Sequence, residues 1–316
     1  MRYIRQVVFE NIGEEKQKQL EKADVVIVGI GALGTAACEM LVRSGVKNLS
    51  IIDRDIVELS NLQRQSLFSE IDIDSLKVNA AEKRLKEINS EVNIKKYPTN
   101  LDFDNINILK SNIILDCTDN FDTRFLLNDY AVKNKIPLVY CSVIGSTGMA
   151  FNILPKKPCL GCIFKEPNSV LGTCDVEGII NTIVHSMAAI QVTEAIKIIT
   201  KQQPNNFLMH YNIWKNKLTR IKVNKNNQCK ACSGNFDYLD GKNSEDTIKL
   251  CSDSSFIVKT KHINLNDLGK KLSKISDLRI TPHCMFFKDM TIFNNRVIVK
   301  AETKEEAKLK VGKYIN

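Results

Sequence analysis

Residues 25–34 read Val25-Val26-Ile27-Val28-Gly29-Ile30-Gly31-Ala32-Leu33-Gly34, and this stretch decides the fold. Its first four residues are apolar and β-branched, the pattern of a short strand buried on both faces of a parallel sheet. A glycine hexad follows without a gap. Beyond it, Thr35 to Ser44 has helical character and stops at Gly45, which can take the left-handed backbone that closes a helix. Leu49-Ser50-Ile51-Ile52 is a second strand, with Asp53 at its end. The segment is therefore a βαβ unit.

Outward from this unit the alternation continues. Ser75 to Asn89 predicts an amphipathic helix with Leu76, Ala80, Leu85 and Ile88 on one side. Ile113 to Asp116 predicts a strand, Asp122 to Asn134 a helix and Pro137 to Val143 another strand. Such alternation implies an α/β, Rossmann-like, doubly wound and mostly parallel sheet with helices on both faces. After Gly148 the pattern changes. Phe151 to Leu154 reads as an antiparallel strand, Ile179 to Thr200 as a long helix, and Phe207 to Val223 as two strands joined at Lys215-Asn216. The first domain is expected to span 1–236. Residues 237–316 then form a small α+β module, with a helix near Asn266–Ser273, strands near Met290–Phe293 and Val297–Lys300, and a helix from Lys304.

With 316 residues, 43% hydrophobic and 26% charged, the composition is that of a globular protein. No apolar run approaches the length needed to cross a bilayer, so no membrane association is expected. Met1 to Gln6 lacks the apolar segment of a secretory leader, which points to the cytoplasm. There, the ten cysteines are thiols or metal ligands rather than disulfides. The formal charge of +9 fits a solvated surface, an acidic protein partner or a polyanionic ligand. The lysines are spread along the chain without an aromatic-basic cluster, so direct nucleic-acid binding is not expected.

Gly29, Gly31 and Gly34 let backbone N–H groups approach phosphate oxygens at the positive end of a helix. Asp53, about 20 residues beyond the loop, is placed to bind a ribose hydroxyl. Alone, this unit suggests NAD and an oxidoreductase. The residues that follow argue for a triphosphate instead. Ser60-Asn61-Leu62-Gln63-Arg64-Gln65 and then Lys77 bring an amide, a guanidinium and an ammonium, which suit the charge of β- and γ-phosphates. Cys117-Thr118-Asp119-Asn120 follows a strand at the carboxyl edge of the sheet. Asp119 there either holds Mg²⁺ on the phosphates or caps the next helix.

Cys159-Leu160-Gly161-Cys162 and Cys229-Lys230-Ala231-Cys232 are two C-x₂-C knuckles. Four thiolates satisfy a closed tetrahedral zinc site, and such a site is structural because it leaves no open position. Cys174, in Gly172-Thr173-Cys174-Asp175, is either a thiol that attacks an acyl-adenylate or a bystander. His185 is read as a packing or surface residue.

The motifs together resemble the HesA/MoeB/ThiF family of adenylyltransferases, related to ubiquitin-activating enzymes. The resemblance runs from Arg2-Tyr3-x-Arg5-Gln6 through Asp53, Ser60 to Gln65, Lys77 and Cys117 to Asn120, and ends at Glu194-Ala195-Ile196-Lys197. It implies ATP-dependent adenylation of the C-terminal glycine carboxylate of a ubiquitin-like sulfur carrier or modifier. Asp53 then binds ribose, Asn61, Arg64 and Lys77 hold phosphates, and Asp119 holds Mg²⁺. Arg5 reaches into the neighbouring subunit's site, which implies a homodimer, and the zinc is structural. Cys174 resembles a cysteine that takes part in thioester or acyl-disulfide chemistry in some members. A sulfurtransferase is a further partner that such chemistry implies. Pathways that use this step include molybdopterin and thiamine synthesis and tRNA thiolation. Ile179 to Ser186 departs from the family's glycine-rich, proline-containing stretch. Residues 237–316 resemble the tail domain of longer members, and neither Cys251 nor Cys284 makes a convincing sulfurtransferase cysteine. The competing readings are a non-catalytic binding module of the same fold and an NAD-dependent oxidoreductase.

Overall fold

The computed structural model describes residues 2–164, 178–242, 247–249, 255–281 and 284–315. Two compact units form, the first running to Lys242 and the second from Asn243 onward.

In the first unit, helices α1 (Ile4–Val7) and α2 (Gly13–Lys22) precede the βαβ segment. That segment comprises β1 (Asp24–Val28), α3 (Ala32–Arg43) and β2 (Asn48–Ile52). The helix thus begins inside the glycine hexad. Gly45 ends it at φ +101°, where a Cβ would lie 2.3 Å from Gln17 Nε2. Next come α4 (Lys77–Ile88), β3 (Asn93–Tyr97), β4 (Ile113–Asp116), α5 (Phe121–Asn134) and β5 (Leu138–Ile144). Then follow β6 (Thr147–Ile153), α6 (Leu160–Ile163), α7 (Asn181–Ile199), β7 (Phe207–Asn212) and β8 (Lys217–Lys222).

The strands form one sheet in the order β3-β2-β1-β4-β5-β6-β7-β8. Pairing is parallel from β3 to β5 and antiparallel from β5 to β8. The chain winds outward through β2 and β3 and returns beside β1 as β4. The order reverses between β1 and β4, and sheets of this kind bind ligands in the crevice outside the carboxyl ends of the strands at such a reversal. One face of the sheet packs on α5 and on the cysteine segments, through Val28, Ile114, Leu126, Leu127, Tyr140 and Phe151. α7 packs on α3 and against β4, β5 and β6.

By length and composition alone α7 is apolar enough to cross a membrane, which corrects the expectation that no run approaches that length. Its apolarity has another cause. Ile183, Val184, Met187, Ala188, Val192 and Ala195 are buried against the sheet domain. Met187 fits the hollow at Gly148, where a Cβ would lie 2.3 Å from Met187 Cγ.

The second unit holds β9 (Thr247–Lys249), β10 (Ser255–Lys259), α8 (Leu265–Leu272), β11 (Leu278–Ile280), β12 (Met285–Phe287), β13 (Met290–Ile292), β14 (Arg296–Lys300) and α9 (Lys304–Ile315). Its sheet is antiparallel throughout, in the order β11-β12-β13-β14-β10-β9. Phe256, Leu272, Phe287, Ile292, Val299 and Val311 make its core. Asn264 caps α8, accepting from Asn266 N and Asp267 N. Cys284 is wholly buried in this unit, which disqualifies it as an open-loop nucleophile. Cys251 lies outside the described residues.

Candidate functional site: a nucleotide crevice and a four-cysteine cage

The three glycines do different work. Gly29, at φ +90°, is pressed against the next loop: a Cβ there would lie 2.6 Å from Cys117 O. At Gly34 a Cβ would fall 1.9 Å from Gly29 O, so the first turn of α3 closes directly on the strand end. Of the three, Gly31 faces space: beyond its chain neighbours, only Gln65 Nε2 among the described residues lies within 4 Å of an added Cβ, at 3.9 Å. Two glycines therefore shape the loop and the third leaves room for a ligand. Gly34→Ala is expected to cost more than about 3 kcal/mol of stability through overpacking. Gly31→Ala is expected to fold normally and to weaken ATP binding roughly tenfold or more, since a methyl stands where a phosphate approaches. Thermal denaturation and titration calorimetry on the two proteins separate these outcomes.

Asp53 braces the loop. Its Oδ2 accepts from Ile30 N at 2.6 Å and its Oδ1 from Asp55 N at 2.8 Å. Desolvation raises its pKa, against the pull of nearby Lys77. Lys77, at the first position of α4, is buried and lies 3.3 Å from Asp55 Oδ2. Burial disfavours its charge, but Asp55, Asp53 and Asp119 together outweigh that and raise its pKa. The ammonium is thus a fixed cation in the crevice, and its field joins Asp53 to Asp119.

Asn61 is buried in the turn before the crevice, its Oδ1 accepting from Glu58 N at 3.2 Å. Arg64 is half-buried, and its Nη1 donates to Ser60 O at 2.9 Å. Between them Gln63 donates to Ile179 O at 3.2 Å, tying this turn to the chain entering α7. Asp119 is exposed. Asn120 caps α5 instead, its Oδ1 accepting from Thr123 N at 2.9 Å, so the capping role considered for Asp119 belongs to its neighbour.

Beneath Asp119 lies a support not foreseen from sequence. Asp116 is fully buried, and its Oδ1 accepts from Thr118 N at 3.0 Å and Thr118 Oγ1 at 2.7 Å. Burial raises its pKa, and the field of Arg124 opposes the rise. Arg124 donates through Nη2 to Thr118 O at 2.6 Å. From α7, Gln191 donates to Asp116 O and Val139 O, both at 2.9 Å, and so clamps β4 to β5. Glu194 accepts from Asn152 Nδ2 at 2.6 Å and Lys197 Nζ at 2.6 Å, so the Glu194 to Lys197 motif is architectural. Buried polar residues three apart on an apolar helix face were the available signal. His185 is exposed, with Nδ1 3.0 Å from Asn181 O, as a surface residue. Cys174 lies outside the described residues.

At the N-terminus, Gln6 donates to Gln17 Oε1 at 2.7 Å and Ser44 O at 2.8 Å. Tyr3 OH accepts from Asn89 Nδ2 at 3.2 Å. These residues face the domain, while Arg5 is exposed beside Ile4, Val8 and Phe9, which are 49%, 74% and 55% exposed.

The cysteine cage forms on the α5 face. The sulfurs of Cys159, Cys162, Cys229 and Cys232 all lie within 4.8 Å of one another. Close pairs are Cys159 with Cys229 at 3.5 Å and Cys162 with Cys232 at 3.6 Å. A tetrahedron with Zn–S bonds of about 2.3 Å has sulfurs about 3.8 Å apart, so the donor set fits zinc. Asn226 N donates to Cys162 Sγ at 3.4 Å. Burial opposes ionisation of that thiol, but the hydrogen bonds to it prevail and lower its pKa. The cage joins the chain after β6 to the chain after β8 and fastens both to α5. Leu160 N donates to Asn128 Oδ1 at 2.8 Å, Tyr238 N donates to Asp129 Oδ2 at 3.1 Å, and the rings of Phe125 and Tyr238 stack at 5.1 Å. Burial pushes the Asp129 carboxyl up to about 6.

The model of the ThiF family matches residues 3–231. The chain belongs to the ThiF family. A sulfur carrier protein ThiS adenylyltransferase of Bacillus subtilis is 39% identical over 282 residues, covering 86% of this chain and 84% of that protein. A SAMP-activating enzyme E1 of Haloferax volcanii is 31% identical over 238 residues, covering 73% of this chain and 88% of that protein. Among solved structures, Escherichia coli MccB with ATP superposes with a TM-score of 0.66 at 22% identity, over 74% of this chain and 75% of that one. That likeness is one of fold. With these relatives adenylyltransferases and E1 enzymes, the oxidoreductase reading is set aside.

Proposed function

We propose that this chain is an adenylyltransferase that activates the C-terminal glycine carboxylate of a ubiquitin-like sulfur-carrier protein with ATP. The observation that carries the reading is the crevice between β1 and β4. There the open glycine loop, the Lys77 ammonium and Asp119 converge, with Arg64 on the neighbouring turn. A carboxylate oxygen attacks the α-phosphorus, the new C–O–P linkage forms, and pyrophosphate leaves with the electrons of the broken P–O bond. The carboxylate is already ionised at neutral pH, so no general base is needed. The chemistry rests on positioning and charge neutralisation. In this reading Asp53 takes a ribose hydroxyl while Asn61, Arg64 and Lys77 hold the phosphates. Asp119 would hold Mg²⁺, which would supply charge neutralisation to the triphosphate.

The outward Arg5, set among exposed Ile4, Val8 and Phe9, supports a homodimer in which it completes the partner's site. The four thiolates would hold a structural zinc, the protein acts in the cytoplasm, and a sulfurtransferase is a further partner. The C-terminal module, expected over 237–316 and compact as a unit from Asn243 onward, is read as partner-docking. Nothing in the proposed adenylation requires Cys174, which would act afterwards on the acyl-adenylate.

The test is ATP–pyrophosphate exchange by the purified protein with and without small proteins ending in Gly-Gly. Exchange that depends on one of them is the expected result and names the partner. ATP binding without exchange in the presence of every candidate carrier would instead favour a binding module.

A further inference from the structure

Gln65 ends the Ser60 to Gln65 turn, and its position is unusual for an amide. It is 3% exposed, yet its Oε1 has no hydrogen-bond partner among the described residues. Its backbone is satisfied, with N donating to Asn61 O at 3.0 Å and its carbonyl accepting from Phe68 N at 3.1 Å. A buried amide with an orphan oxygen carries a desolvation cost that an apolar side chain would not. What the arrangement achieves is direction. The Nε2 end is turned to the glycine loop, 3.9 Å from where a Cβ on Gly31 would sit, and beyond Gly31's own chain neighbours no other atom of the described residues lies within 4 Å of this point.

We infer that Gln65 is a nucleotide-binding residue whose Nε2 donates a hydrogen bond to a phosphate oxygen of ATP lying over Gly31. The inference rests on the ATP-dependent activity proposed above. An uncharged donor beside Arg64 and Lys77 adds a directional contact without adding repulsion between cations. A hydrogen bond to a charged acceptor is about twice as strong as a neutral one. When ATP is bound, that bond offsets the orphan Oε1.

The experiment compares Gln65→Leu, Gln65→Met and Gln65→Glu with the parent protein, measuring ATP and adenosine affinity by calorimetry and the melting temperature of the ligand-free protein. Gln65→Leu and Gln65→Met are expected to weaken ATP roughly 10- to 100-fold, to leave adenosine affinity unchanged, and to melt a few degrees higher. Gln65→Glu keeps the shape but presents a carboxylate to the phosphates, and is expected to bind ATP more weakly than either. Equal weakening of ATP and adenosine would make Gln65 a structural residue and overturn the inference. So would ATP binding at parental affinity in Gln65→Glu. Carrier-dependent pyrophosphate exchange by the parent protein separates the two levels. If the parent exchanges and the variants behave as the parent, only this inference falls. If the parent neither binds ATP nor exchanges, the activity itself falls.

Discussion

Arg64→Ala and Asp119→Ala are each expected to lower carrier-dependent pyrophosphate exchange by about 10²- to 10³-fold, the loss typical when one preorganised electrostatic contact to a transition state is removed. The fold should be nearly indifferent. Arg64 is half-buried, and its guanidinium bonds Ser60 O within its own turn. Asp119 is exposed, and α5 keeps its cap because Asn120 provides it. Melting temperatures within a degree or two of the parent are therefore expected for both, as for most surface substitutions. The contrast is diagnostic because Lys77 offers no such clean test: it is buried against Asp53 and Asp55, so removing it unbalances those acids in the fold itself. Full exchange in either variant, measured with the cognate carrier, would remove that residue from the site.

Cys229→Ser is expected to produce the opposite pattern, a large stability loss with an indirect effect on chemistry. The cage offers four sulfurs at near-tetrahedral spacing, and a structural zinc contributes its binding energy to folding. Losing one ligand should cost roughly 5 kcal/mol, which in a domain of this size lowers the melting temperature by about 10–20 °C. Zinc content by elemental analysis should fall together with the melting temperature, and a chelator should reproduce the effect in the parent. Unchanged stability in the zinc-free protein would show that the thiols pack well enough without metal. Any loss of exchange would be transmitted through α5, which the cage grips at Asn128 and which begins one residue after Asn120.

The parallel half of the fold was readable because its signals are local. Val25 to Val28 is an unbroken β-branched run, the hexad follows at once, and Gly45 ends the helix where a side chain would strike Gln17. β3 escaped notice because it is an edge strand in which only Ile94 is buried, and Lys95 and Lys96 mask its pattern. β6 was caught only at its C-terminal end. Its first residues include Gly148, whose missing side chain admits Met187, and a glycine weakens any strand pattern. The three-residue strands β11 and β12 of the second unit likewise carry too few residues for a period to show, whereas β10, with Phe256, Ile257 and Val258 in a row, was missed although it carries the same signal as β1. In the crevice, the charged residues announced themselves by type and spacing. The supports did not: Asp116, Arg124, Gln191 and Gln65 act by being buried, and burial of a polar residue is a property of the fold rather than of its neighbours in sequence.

The spacing of the cage cysteines also has a kinetic meaning. Cys159 and Cys229 meet across 70 positions of chain, so their thiolates come together only when α7, β7 and β8 are already in register. Long-range closures of this kind are slow steps, because the chain entropy is lost before any contact rewards it. The nucleotide loop, by contrast, is built within one βαβ unit from neighbours in sequence. Closing the cage is therefore expected to be slower than forming the nucleotide loop, a latch that shuts after the cradle.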